Sequence, residues 1–146
     1  LETARISPSA NNSQPWKFIV VDDFEKKEQI AECSIGLGMN KFTHQCPVLV
    51  AVVLEQQNFM STVGSMIKNK NYGLFDIGIA VNQFCLQAAD LGLGTCIIGM
   101  VEEEKVREYF GIEDKIRLVI ATGYSADEAP RNKVRKSLDE VCEVIE

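Results

Sequence analysis

The run Val48–Glu55, VLVAVVLE, introduced by Pro47, constrains the fold more than any other stretch of this chain. It is apolar without alternation, rich in β-branched residues and of strand length, which is how a strand deep in a sheet reads. Two shorter runs match it: Lys17–Val21, KFIVV, and Ile116–Ile120, IRLVI, the latter ending at Gly123-Tyr124. Helical patterns separate them. Asp22-Asp23 suits a helix N-terminus ahead of Phe24–Cys33, where Phe24, Ile30 and Ala31 are helically spaced. Glu102-Glu103-Glu104 opens a further helix on the favourable side of its dipole, and Gly111 closes it. Ser137 and Glu140 have capping-box spacing and predict a last helix, SLDEVCEVI.

The segment Leu74–Leu91 is apolar nearly all round, so its helix is expected to be buried on more than one side. In a chain of 146 residues a second copy is a natural source of that cover. Ser34–Gln45 reads as irregular, and Gln56–Gly73 is polar and aperiodic, suited to a lid or a mobile excursion. Three strands interleaved with helices predict an α/β or α+β sandwich, with residues 1–146 forming one domain.

Charge and composition narrow the function. A net charge of −6 argues against a general nucleic-acid or anionic-membrane surface, so any polyanion must be held by a local basic cluster. No apolar run approaches the ~20 residues that span a bilayer, and LETARISPSA lacks the layout of a signal peptide. The helical character of LETARI, without a starting Met, predicts that the chain begins inside an element with residues upstream. Cys33, Cys46, Cys85, Cys96 and Cys142 are odd in number and form no CxxC pair, which predicts buried reduced thiols in a cytoplasmic protein and no metal or iron–sulfur site.

The most polar of the short connections is Ser7–Trp16, SPSANNSQPW. Its Asn and Gln side chains each offer donors and an acceptor, matching the edge of a heteroaromatic ring or a ribityl chain. Pro8 and Pro15 lower the ordering cost of presenting them. Ser, Asn and Pro are also turn residues, and on composition alone a capped turn is the simpler reading.

The order of the residues changes that balance. SPSANNSQPWKFIVV resembles the flavin loop of the nitroreductase family, (A/S)-P-S-(A/S)-x-N-x-Q-P-W followed by a strand, with Pro8, Ser9, Ala10, Asn12, Gln14, Pro15 and Trp16 in register. Tyr72–Gly99 resembles that family's long dimer helix and its following G-(L/I)-G-x-C-x-I-G turn, and the likeness continues through EEEKVREYFGI to the basic segment.

The resemblance implies an α+β fold: a three-layer α/β/α sandwich with a mixed, mainly antiparallel central sheet in an intertwined homodimer. It implies an FMN-dependent oxidoreductase that passes a hydride from NADH or NADPH through flavin N5 to a small planar electron-poor aromatic acceptor, a nitroaromatic or quinone, by ping-pong turnover. The flavin carries that chemistry, so no catalytic side chain is assigned. Pro8, Ser9, Ala10, Asn12 and Gln14 would reach the flavin held mainly by the other subunit. Ile98, Gly99 and Met100 would lie along the ring, with Met100 standing where the family more usually has a second glycine. Asn40 would contact the pyrimidine or ribityl part. Another flavin chemistry on the same scaffold, reductive dehalogenation or flavin cleavage, and a non-catalytic flavin-binding role are the alternatives.

Arg131–Lys136, RNKVRK, places four cations in an otherwise acidic chain. A solvated loop and a phosphate clamp are both open on charge alone. Lys133 and Arg135 match the family's K-x-R, which contacts the FMN phosphate. The family's N-terminal R-x-S-x-R stretch is absent; it is expected either upstream of Leu1 or replaced by weaker cofactor binding. Lys41 is a candidate cation for charge developing on the ring. The glycines Gly92 to Gly99 follow a helix, the wrong context for a dinucleotide fingerprint. His44, the single histidine, has no orienting carboxylate nearby in sequence and reads as structural; Met60 and Met66 read as packing.

Overall fold

A computed structural model describes residues 1–126 and 132–145. Along the chain run α1 (Glu2–Arg5), β1 (Trp16–Val21), α2 (Phe24–Cys33), β2 (Val48–Leu54), α3 (Phe59–Lys68), α4 (Tyr72–Asp90), β3 (Gly94–Ile98), α5 (Glu103–Phe110) and β4 (Lys115–Gly123). The strands form one sheet in the order β1-β2-β4-β3, with every described pairing antiparallel. The apolar run predicted to lie deep is β2, flanked by β1 and β4.

Alternation along β2 divides its side chains between two cores. Leu49, Ala51 and Val53 pack with Ile30 and Ala31 of α2 and Val106 of α5, whereas Val50 and Val52 pack with Ala4 of α1 and Ile77, Val81 and Phe84 of α4. The result is the α/β/α sandwich. A bulge at Arg117 of β4 reverses the parity, so that Ile116 joins Val119 and Ala121 in the first core while Ile120 faces the second. Each fully buried Val, Leu or Ile of these cores stabilises the fold by roughly 1.5–3 kcal/mol.

The helix starts follow from local chemistry. The Asp23 carboxylate accepts from the Lys26 amide at 3.0 Å, capping α2. Gly111, at φ +64°, closes α5 in the left-handed conformation.

Four expectations are corrected. Gln56–Gly73 contains a regular helix, α3, because the Asn58 side chain accepts from the Ser61 amide and Asn69 ends the helix at φ +49°. The glycine-rich turn after α4 contains an edge strand, β3, held by β4. Glycine and cysteine at Gly94 and Cys96 hid its β character. The helix predicted from Ser137 is a single turn: the Ser137 amide and hydroxyl both donate to Glu140, yet Leu138, Val141, Val144 and Ile145 remain exposed, with no packed face to extend the turn. The cysteines are not fully buried, though Cys33, Cys46 and Cys85 pack against the cores. Cys33, Cys46 and Cys85 are half-buried, and Cys96 and Cys142 are exposed.

No helix among the described residues is long and apolar enough to cross a membrane. The all-round apolar helix is α4, whose Ile77, Ala80, Val81 and Phe84 are buried while Phe75, Ile79 and Leu86 are exposed.

Candidate functional site

The polar loop leads into β1, one edge of the sheet, and its backbone is unusual. Ala10–Asn12 form a 3-10 turn, and Asn11, Asn12 and Gln14 have φ of +51°, +53° and +46°. Asn enters the left-handed region with little difficulty, but for Gln it is uncommon. The Ser9 hydroxyl accepts from the Gln14 amide at 2.9 Å, and Gln14 Nε2 reaches the Asn12 carbonyl at 3.4 Å. Pro8, Asn12 and Gln14 are exposed, and Ser9 and Ala10 are half-buried.

Two helix N-termini hold this loop. From α4, buried Asp76 Oδ1 accepts from the Ala10 amide at 3.0 Å. From α3, the buried Ser61 hydroxyl donates to the Ala10 carbonyl at 2.8 Å. The Asn58 side chain donates to the Asn11 carbonyl at 2.9 Å, and the Asn58 amide donates to the Ser13 hydroxyl at 2.8 Å. Sequence reasoning missed Asp76, Ser61 and Asn58; the only available signal was an acidic residue inside an otherwise apolar helix.

The second predicted wall follows β3 at the opposite edge. The Ile98 side chain is buried in the first core, so only its backbone is available. Gly99 and Met100 are exposed, and no atom lies within 4 Å of the place where a Cβ on Gly99 would stand. Met100 packs on Gly36, and the Glu102 amide donates to the Cys33 carbonyl at 2.8 Å, joining this turn to the end of α2. Asn40 lies in the same segment; its side-chain amide donates to the Ser34 carbonyl at 2.9 Å. Lys41 is exposed beside it.

Lys133 and Arg135 are on the exposed tail, where the Arg135 guanidinium donates to the Val134 carbonyl at 2.8 Å. Arg131 of the same basic segment lies outside the described residues. Thus Asn40 and Met100 share one side of the molecule, whereas the loop at residues 7–16 lies at the other edge. Three strand spacings separate edges β1 and β3, roughly 14 Å at 4.7–4.9 Å each. Surface hollows lined by Gln57, Met66 and Asn71, and by Gln56, Thr62 and Arg117, contain none of the predicted residues.

His44 has carboxylate partners that its sequence neighbours did not reveal. Its Nδ1 lies 2.6 Å from Glu28 and its Nε2 3.6 Å from Glu32, both on α2. Buried Lys27 donates to the His44 carbonyl at 2.8 Å and pairs with Glu28. Hydrogen bonds from Lys27 and then His44 hold the Glu28 carboxyl below the usual carboxylate range. The group ties the segment carrying Asn40 to α2. Burial pushes the Cys33 thiol up, with Glu102 adding to the effect, and burial raises Cys46 as well.

An α/β/α sandwich on an antiparallel sheet gives the fold class, and comparison with known proteins gives the family. Residues 33–124 match the model of the nitroreductase family. An oxygen-insensitive NADPH nitroreductase of Helicobacter acinonychis is 33% identical, over 92% of this chain and 78% of the relative. A nitroreductase family protein of Streptococcus pneumoniae TIGR4 superposes with a TM-score of 0.78 at 26% identity, covering 97% of this chain and 84% of that one. A structure from Exiguobacterium sibiricum 255-15, described as a putative nitroreductase in complex with FMN, shares the fold with a TM-score of 0.79 at 22% identity, over 97% and 82% of the two chains. The chain belongs to the nitroreductase family.

Proposed function

We propose that this protein is an FMN-dependent NAD(P)H oxidoreductase acting as a homodimer on a planar, electron-poor aromatic acceptor such as a nitroaromatic or a quinone. The observation that carries the reading is the display of Asn12 and Gln14, whose side chains are exposed on a backbone locked in the left-handed region. A passive turn has no need of a left-handed Gln. The NADPH nitroreductase name of the Helicobacter relative supports the donor class, and the FMN bound by the Exiguobacterium protein supports the cofactor.

The residues fit FMN. Gly99 leaves open space beside its backbone, where a flat ring would meet no side chain. Asn12 and Gln14 offer amides for the ring edge, Pro8, Ser9 and Ala10 shape that wall, and Asn40 offers its remaining polar atoms to the pyrimidine or ribityl part. The backbone of Ile98, Gly99 and Met100 would run along the ring. Lys133 and Arg135 would hold the phosphate, Arg as a bidentate fork and Lys as a point charge. When bound, FMN supplies hydride transfer between the nicotinamide donor and the acceptor. The protein's work is binding, orientation and exclusion of water. Donor and acceptor take turns in one slot, which makes turnover ping-pong. The loop and the Gly99 turn occupy opposite sheet edges, and a pair of chains would bring the loop of one to the Gly99 turn of the other.

The test is the visible absorption spectrum of the purified protein, with extraction and identification of the chromophore, followed by NADH and NADPH oxidation with nitro and quinone acceptors. Bound FMN and parallel double-reciprocal plots are expected. A colourless protein that takes up no FMN, or one whose flavin neither nicotinamide reduces, overturns the reading.

A further inference from the structure

The strained loop and the clamp behind it imply a division of labour. Three non-glycine residues within four positions, Asn11, Asn12 and Gln14, hold left-handed backbone conformations. Such conformations persist only where the surroundings over-determine them, and they collect where a ligand must meet a fixed shape. Here the surroundings are specific. Ala10 is gripped at both ends of its peptide framework, its amide by Asp76 and its carbonyl by Ser61. Asn58 holds the next carbonyl, that of Asn11, and through its amide the Ser13 hydroxyl. The 3-10 turn is thereby fixed before Asn12 and Gln14 are reached.

Asp76 is the least expected member. It is 4% exposed, and its second oxygen, Oδ2, is buried with no hydrogen-bond partner among the described residues. Burying a carboxylate with one oxygen unpaired is unfavourable, and Asp76, the fifth residue of α4, lies past the first turn where the helix dipole would offset that cost. An apolar side chain here could not accept from Ala10.

We infer that Asp76 and Ser61 are positioning residues: they hold the Ala10 peptide, and through it the left-handed Asn12 and Gln14, in the form that receives the ligand, at a cost to the stability of the fold. The inference rests on the reading of residues 7–16 as a wall of the FMN site. Asn58 extends the clamp to α3, whose outer face carries exposed Phe59, Met60, Met66 and Ile67.

The experiment measures FMN affinity of the full chain by fluorescence titration, unfolding midpoints of the flavin-free protein, and amide hydrogen exchange over residues 9–14. Asp76→Ala should weaken FMN binding about tenfold, the scale of a lost charge-assisted hydrogen bond, and leave the flavin-free midpoint equal or higher. Asp76→Asn keeps an oxygen for Ala10 and should stay within about threefold of wild type. Ser61→Ala, acting on the other side of the same peptide, should also weaken binding, and both Ala variants should speed exchange at Ala10 and Gln14. A residue with a merely structural role would instead lower the midpoint and leave the affinity of the remaining folded protein alone. Affinity within twofold of wild type in both Ala variants overturns the inference. If Asp76→Ala fails to fold, Ser61→Ala decides by the same criterion. A wild-type protein that binds no FMN sinks the flavin reading by itself, and the exchange rates then judge the clamp: unchanged rates in Ser61→Ala overturn it.

Discussion

Gly36 and Met100 touch so closely that a Cβ on Gly36 would lie 2.2 Å from both Cγ and Sδ of Met100 and 3.0 Å from its Cβ. The contact joins the segment carrying Asn40 to the turn after β3, two pieces assigned to one side of the flavin. Gly36→Ala should therefore displace the half-exposed Met100 side chain outward, costing up to about 1 kcal/mol. Met100→Ala clears the same space. The combined variant should recover most of the loss, giving a coupling of roughly 0.5–1 kcal/mol in a double-mutant cycle read by urea unfolding. Additive effects of the two changes would contradict the contact.

Next to that glycine stands Leu37, at φ +51° with 90% of its surface exposed. A left-handed residue with a Cβ costs roughly 1–2 kcal/mol, whereas glycine brings a chain-entropy cost of about 0.5–1 kcal/mol. Leu37 buries too little to alter the balance. Leu37→Gly should thus be neutral to stabilising by about 0.5 kcal/mol, visible as an unchanged or raised thermal midpoint. A clear loss of stability would mean that the Leu37 side chain is covered in solution.

The proposed flavin contacts make separable predictions. Asn12→Ala removes an amide from the loop, and the pair Lys133→Ala/Arg135→Ala removes the cations proposed for the phosphate. Each should lower FMN retention by about one to two orders of magnitude with the chain still folded. Only the charge pair should also flatten the salt dependence of binding, since exposed ionic contacts are screened. Equilibrium dialysis at two ionic strengths separates the cases, and unchanged retention in both variants would contradict the assignment.

Residues whose role is local were legible in the sequence. The continuous apolar run gave β2, Asp23 and Gly111 marked helix ends, and the loop motif survived as a loop because Pro8 and Pro15 restrict it. Residues whose role depends on a distant partner were not. Asp76 lies 66 positions from Ala10, and Ser61 is 51 positions from it. Glu28 and Glu32 reach His44 only because α2 packs on the turn at Lys41–Gln45. α3 does carry an apolar stripe, Phe59, Val63, Met66 and Ile67 at helical spacing, but Ser, Thr, Gly and the polar residues on either side mask it in the sequence. Strand β3 was hidden by its flanking glycines. Its pairing with β4, a tertiary feature, makes it a strand.

The Lys27–Glu28–His44 group carries a pH dependence of definite sign. Glu28 has a folded-state pKa below its ordinary value, chiefly through the Lys27 hydrogen bond and then through His44. A depressed carboxylate contributes stability that is present above the unfolded pKa and lost as pH falls through the folded one. Acidification from about pH 5 through the carboxylate range should therefore lower the wild-type midpoint more steeply than that of Glu28→Gln. The two curves should converge at the acid end. Parallel curves would remove Glu28 from the account of acid stability.

The outer face of α4 predicts how the chains assemble. Phe75, Ile79 and Leu86 recur at spacings of four and seven residues, so they share one stripe, and all three are exposed in the single chain. The opposite stripe, Ile77, Val81 and Phe84, is already in the core. An apolar stripe of this length, left outside, is suited to a second copy of itself. Ile79→Glu leaves the intrachain core untouched but would bury a charge in such an interface, which is strongly unfavourable without a partner. Wild type should sediment as a dimer and Ile79→Glu as a folded monomer. FMN retention should fall with it, since the residue 7–16 loop and the Gly99 turn stand on opposite edges of one sheet. A monomeric wild type that holds FMN as firmly as any variant would overturn both the interface and the shared site.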